Sequence, residues 1–156
     1  MSNRLPLIPW FVFTILEPFS TTCAFLGPLL YPKDFVSMQL PHEVPHELLP
    51  SERILALQLG NCYLLLSFIG LFVLNTTTEL RVIHAFLMAL ALGDIGHLAV
   101  TASVMGPHPF VDVYKWSLIT WGNIGFTLFL LLMRASYFAG VWDISRKMEH
   151  KEVKAQ

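Results

Sequence analysis

Residues 82–105 read VIHAFLMALALGDIGHLAVTASVM and contain one acidic side chain, Asp94, and no lysine or arginine. At about 1.5 Å per residue, a helix of this length crosses a hydrocarbon core of about 30 Å. A carboxylate at bilayer depth is costly, so it usually faces a partner or a cavity and indicates a functional site. The stretch therefore predicts a membrane-spanning helix that holds a polar group inside the bilayer.

Three further stretches have the same apolar character: 6–30, 53–75 and 116–141. The chain of 156 residues is 54% hydrophobic and 13% charged, with a mean hydropathy of +0.58, which excludes a soluble domain of this size. The first stretch is too long for a secretory leader and is interrupted by Glu17-Pro18, so we expect an uncleaved helix. We predict an all-α fold, a single membrane domain formed by a four-transmembrane-helix bundle, with a polar loop at 31–52 and a tail at 142–156.

Basic residues near the helix ends predict the orientation. Arg4, Arg81 and four basic residues of the tail place the N- and C-termini on the cytoplasmic side. The loop at 31–52 is net acidic and would face the opposite side. Asn75-Thr76-Thr77 is a glycosylation sequon on the predicted cytoplasmic side, so we expect it to stay unmodified. We expect an integral membrane protein of the endoplasmic reticulum.

The polar loop contains His42-Glu43-Val44-Pro45-His46, which matches the H-E-x-x-H pattern of zinc proteases. That pattern requires a helix, and Pro45 would interrupt the helical turn between the two histidines. Cys23 and Cys62 both fall inside predicted helices and are expected to be packing thiols. We therefore predict no metal site and no disulfide.

Two acids and a histidine are the candidate catalytic residues. Glu17 lies about 18 Å into the first helix, near the membrane midplane, and Pro18 bends the helix there. Asp94 and His97 are three residues apart on one face of the third helix, where the carboxylate can orient the imidazole. The alternative for Glu17 is a hydrogen bond between helices at an ordinary proline kink.

Amides and a tryptophan at a similar depth are the candidate substrate-binding residues. We predict that they line an internal polar pocket together with the catalytic residues: Gln58, Asn61, Trp121 and Asn123. Arg134 lies closer to the cytoplasmic end of the fourth helix, where it can reach the interface or pair with an acid, and we interpret it as a structural anchor. Glycines on the third and fourth helices would also allow a homodimer that shares the pocket.

Paired carboxyl groups in a low-dielectric pocket favour acid–base chemistry, in which one group keeps its proton and the other acts as a base. Suitable reactions are the opening of an epoxide, the protonation of an alkene or the shift of a double bond in a lipophilic small molecule. The sequence contains no nucleotide or haem motif and no acidic cluster for magnesium. We expect no cofactor, no nucleic-acid partner, and contact with membrane lipid.

Four motifs carry a family resemblance: Leu16-Glu17-Pro18, Gln58-Leu59-Gly60-Asn61, Gly93-Asp94-Ile95-Gly96-His97 and Trp121-Gly122-Asn123-Ile124-Gly125. Together they resemble a fungal family of small four-helix membrane proteins of largely unknown function. Some of its members are encoded in natural-product clusters, including those for epoxide-derived polyketide ethers. The resemblance implies an epoxide hydrolase or cyclase of fungal secondary metabolism.

A more distant architectural likeness is to the sterol isomerase group that includes emopamil-binding protein, although the second helix here has amides where a glutamate is expected. In the epoxide-opening scheme Asp94 is the acid or the nucleophile, His97 tunes it and Glu17 activates water or a hydroxyl. The sequence leaves open which carboxyl is acid and which is base. Two other interpretations are a non-catalytic sterol- or lipid-binding protein and a proton-coupled carrier.

Overall fold

The computed structural model describes residues 5–41 and 43–142, and this part of the chain is mainly helical, without strands. Its six helices are α1 (Leu7–Leu30), α2 (Pro32–Ser37), α3 (Pro50–Thr76), α4 (Leu80–Met105), α5 (Pro107–Val111) and α6 (Leu118–Phe138). The four long helices, α1, α3, α4 and α6, are long and apolar enough to cross a membrane. The predicted all-α four-helix architecture is confirmed. Arg4, His42 and the basic residues of the tail, on which part of the prediction rests, lie outside the described residues.

Local chemistry sets the helix ends within a few residues of the predicted ones. Pro50 occupies the first turn of α3, where a missing N–H costs nothing, and the Glu52 carboxylate accepts a hydrogen bond from the Leu49 N–H at 2.8 Å. The helix therefore begins before residue 53. Gly106, with φ of +81°, ends α4. The predicted loop at 31–52 contains one short helix, α2.

Close packing joins α1 to α3, while α4 packs against α6. The buried face of α3 is rich in small residues: Ala56, Gly60, Ser67 and Gly70. A Cβ added at Gly60 would lie 2.7 Å from Pro28 Cγ, so only glycine fits this crossing. The Ser67 hydroxyl donates to the Pro18 carbonyl oxygen at 2.9 Å, which ties α3 to the middle of α1.

Two stretches of the long helices are wound as π-helix, Val12–Leu16 in α1 and Trp121–Phe126 in α6. The first ends directly before Glu17-Pro18. Pro18 has no N–H to donate to the carbonyl one turn earlier, which weakens the regular ladder there. Wider turns of this kind are frequent at functional sites. Glu17 therefore follows directly after a π-helical stretch.

The segment after α2 contacts the start of α6. The Met38 carbonyl oxygen accepts hydrogen bonds from Ser117 Oγ at 2.7 Å and from Thr120 Oγ1 at 3.3 Å. Within the loop, the Lys33 ammonium forms an ion pair with the Glu47 carboxylate. The hydrogen bond from Lys33 lowers the pKa of the Glu47 carboxyl. The loop therefore lies against the same end of the bundle as the first turns of α6.

Candidate functional site

Arg134 joins the two acids that the sequence places inside the membrane. Its Nη2 donates to Glu17 Oε1 on α1, and its Nη1 donates to Asp94 Oδ2 on α4. The arginine side chain is 0% exposed, and the two carboxyl side chains are 14% and 13% exposed. The three side chains therefore form one buried ionic cluster contributed by three helices, the Glu17–Arg134–Asp94 cluster.

The direction of the Arg134 side chain follows from helix geometry. In an α-helix, side chains tilt towards the N-terminus of their own helix. Arg134 lies one turn before the C-terminal end of α6, so this tilt points the guanidinium back towards the middle of the helix. Its length then suffices to reach α1 and α4. The Arg134 Cζ also lies 5.4 Å from the centroid of the Phe13 ring, which covers the cation with an aromatic face.

Charge and hydrogen bonding give this cluster its chemical character. An arginine stays protonated, so ionisation of both acids would give a net charge of −1 in a region of low dielectric. Among the described residues, no hydrogen-bond partner reaches Glu17 Oε2 or Arg134 Nε, although both atoms are buried. The cluster thus contains two acids fixed by one cation, and within the described part of the chain the buried Oε2 of Glu17 has no hydrogen-bond partner.

His97 lies one turn beyond Asp94 on α4. The structure pairs Asp94 with Arg134, and it places the imidazole beside the backbone of Asn123 on α6. This arrangement differs from the expected carboxylate–imidazole pair. His97 Nε2 is buried and has no hydrogen-bond partner within the described part of the chain. A second polar group therefore lies near the Glu17–Arg134–Asp94 cluster, beside the π-helical stretch Trp121–Phe126 of α6.

The four predicted substrate-binding residues do not gather around the cluster. Gln58 and Asn61 are exposed on the outer face of α3. Trp121 is 49% exposed and packs edge-to-face on Trp116, with ring centroids 4.9 Å apart. The Asn123 amide donates to Gln39 Oε1 at 2.5 Å, so it also holds the segment after α2. The structure thus brings together Glu17 and Asp94, and it leaves the amides at other positions.

A narrow cavity opens beside the cluster, between α1, α3 and α4. Glu17, Thr21 and Gly70 line it together with apolar side chains of all three helices. It has room for about one water molecule. Within residues 5–41 and 43–142, no three His, Cys, Asp or Glu side chains are grouped so that they could hold a metal ion.

Arg134 is the site residue whose position the sequence did not predict. It is the one lysine or arginine in the interior of the four apolar stretches, since Arg53 and Arg81 lie at helix ends. Two acids at bilayer depth require a cation, and this count identifies Arg134. The sequence therefore pointed to Arg134 as the partner of the two acids, because it is the one basic residue that can balance their charge.

Comparison with known proteins places the chain in a family. No curated protein and no solved structure matches it significantly. A family model described as a domain of unknown function, DUF7704, matches residues 2–144, which include all four long helices and the three members of the ionic cluster. The chain therefore belongs to the DUF7704 family.

Proposed function

We propose that this protein is a membrane-embedded acid–base enzyme that opens epoxides of a lipophilic substrate, by hydrolysis or by cyclisation. The observation that supports this proposal is the buried Glu17–Arg134–Asp94 cluster. Opening an epoxide requires an acid for the departing oxygen and a base for the attacking oxygen. Two carboxyl groups on one guanidinium provide both within a single buried site.

Charge balance supports different protonation states for the two carboxyls. With one proton shared between two acids and Arg134 charged, the cluster is neutral, which a low-dielectric region favours. One carboxyl is then an acid and the other a base. This is the division of roles that paired carboxyl groups use in other acid–base sites.

The reaction can then be written with its atoms balanced. The carboxylic acid gives its proton to the oxirane oxygen as the carbon–oxygen bond breaks, and the carboxylate removes a proton from the attacking water or substrate hydroxyl. Water yields a diol, whereas an internal hydroxyl yields a cyclic ether. One proton transfer between the two carboxyls then restores the starting state. The reaction is redox-neutral, and Arg134 keeps both carboxyls in position throughout.

Apolar surroundings support a lipophilic substrate. The three helices that hold the cluster are apolar over membrane-crossing lengths, and the two carboxyl side chains are 14% and 13% exposed, so a molecule dissolved in the bilayer can approach them. The family resemblance supports substrates among polyketide or terpenoid intermediates of fungal secondary metabolism. We retain His97 as a positioning residue on the Asp94 side. The assignment of Gln58, Asn61, Trp121 and Asn123 to substrate binding remains a prediction.

The test uses purified protein in liposomes and two probes, a long-chain alkene epoxide and a long-chain 4,5-epoxy alcohol. Wild type should form diol from the first probe and cyclic ether from the second. Glu17→Gln and Asp94→Asn should each lower turnover by about 100-fold or more, since each removes a proton-transfer group. Glu43→Gln, which changes an exposed loop carboxyl, is the matched control.

Undiminished turnover in both cluster variants would overturn the proposal. Saturable binding of the probes without product by wild type would instead support a lipid-binding protein. A shifted double bond in an alkene probe would support an isomerase.

A further inference from the structure

The cavity beside Glu17 contains polar atoms that suit a water molecule. Oε1 of Glu17 is bound to Arg134, the buried Oε2 has no hydrogen-bond partner among the described residues, and Glu17 is one of the residues that line the cavity. The opposite walls are apolar. A buried carboxylate oxygen needs a hydrogen-bond donor, and a water molecule is small enough to fit this cavity.

Thr21 provides the second polar atom of the cavity. It lies one helical turn after Glu17, on the same face of α1, and it also lines the cavity. Its hydroxyl donates to the backbone carbonyl oxygens of Glu17 at 3.0 Å and Pro18 at 3.1 Å. With its proton directed to the backbone, the Thr21 oxygen can act only as an acceptor for another molecule.

We propose that the cavity binds the attacking water, that Glu17 Oε2 removes its proton, that Thr21 orients it, and that Asp94 is therefore the acid. This inference rests on the proposed epoxide-opening function. The water donates one hydrogen to each of the two oxygens, which leaves a lone pair on its own oxygen free to attack. That oxygen bonds to the epoxide carbon as Asp94 gives its proton to the departing oxirane oxygen, and Glu17 receives the proton that the water loses.

The two sides of the cluster differ in a way that supports this assignment. Glu17 is among the residues that line the water-sized cavity on α1, α3 and α4, whereas Asp94 is not. The carboxyl group beside the water is therefore the base, which leaves Asp94 as the acid.

Gly70→Ala is the most informative variant, because Gly70 lines the cavity. Its added Cβ would lie 3.7 Å from Pro18 Cγ, an ordinary contact, so the helices need not move while the methyl group takes space from the water. Gly122→Ala is the matched control: its Cβ meets nothing within 4 Å, and it lies about 18 Å along α6 from Arg134. Thr21→Val removes the hydroxyl at constant shape, and Thr21→Ser restores it.

Two measurements test the inference separately. Infrared difference spectra in ordinary and oxygen-18 water, without substrate, should show an internal-water band in wild type and Gly122→Ala that is lost in Gly70→Ala. With the 4,5-epoxy alcohol, the ratio of diol to cyclic ether should fall about 10-fold in Gly70→Ala and Thr21→Val and recover in Thr21→Ser, because only the diol needs the bound water.

Each outcome decides a different claim. An unchanged ratio in Gly70→Ala and Thr21→Val, with the epoxide still opened, overturns the water site and leaves the proposed function in place. No product from wild type overturns the proposed function and with it the catalytic role of the water, while the isotope-sensitive band still decides whether the cavity binds water.

Discussion

Replacement of Arg134 by methionine should destabilise the protein more than any surface substitution. The side chain is fully buried and pairs with two carboxyl groups, so Arg134→Met leaves both acids inside the bundle without their cation. Removal of one partner from a buried ion pair typically costs about 3–5 kcal/mol. Loss of the contact with the Phe13 ring adds about 1 kcal/mol. We expect a loss of about 5 kcal/mol in the free energy of unfolding.

The assay is SDS-induced unfolding in mixed micelles, followed by far-ultraviolet circular dichroism. Arg53→Met, at an exposed position near the start of α3, is the control and should change stability by about 0.5 kcal/mol or less. The triple variant Glu17→Gln, Asp94→Asn, Arg134→Met removes every charge of the cluster. It should recover most of the loss, because no unpaired charge remains. A loss below about 1 kcal/mol in Arg134→Met, or no recovery in the triple variant, would refute the buried ionic cluster.

Further predictions concern packing and topology. Gly60→Ala should lower stability by about 1–3 kcal/mol, because its Cβ would collide with a proline ring of α1. Gly93→Ala adds a Cβ with no atom within 4 Å, so it should be neutral or slightly stabilising in the same unfolding assay. Equal effects of the two substitutions would contradict the packing of α1 on α3. A sequon introduced in the exposed loop by Glu43→Asn with Pro45→Thr should be glycosylated in microsomes, and Asn75 should stay unmodified. A glycan at residue 75 and none at residue 43 would reverse the predicted orientation.

Much of the fold follows from hydropathy, and the limits of that signal are physical. All four spans were predicted within a few residues, because bilayer thickness sets the length of an apolar helix. Which side of each helix is buried was harder to predict, because the lipid and the protein interior are both apolar. Gln58 and Asn61 were expected to point inward and are exposed in the structure. The small residues of α3 identify its buried face better than the polar ones do: Ala56, Gly60, Ser67 and Gly70.

The site was predictable in part for an energetic reason. Glu17 and Asp94 are conspicuous because an acid inside a membrane is costly. Their common partner was not identified, because Arg134 lies near the end of its span and its reach depends on side-chain direction, which sequence spacing alone does not reveal. His97 lies beside the backbone of Asn123, which belongs to the π-helical stretch of α6. A π-helix has no simple sequence signature, so this position was not predicted.

The most direct test of epoxide opening by the Glu17–Arg134–Asp94 cluster is a single turnover of the long-chain alkene epoxide, with enzyme in excess, in oxygen-18 water. Wild type should form a diol containing one labelled oxygen in the first turnover, because water attacks the epoxide directly. Glu17→Gln and Asp94→Asn should form none on the same timescale. An unlabelled diol in the first turnover would show that a carboxylate oxygen of the protein attacks instead, and equal product from wild type and both variants would contradict the role of the Glu17–Arg134–Asp94 cluster.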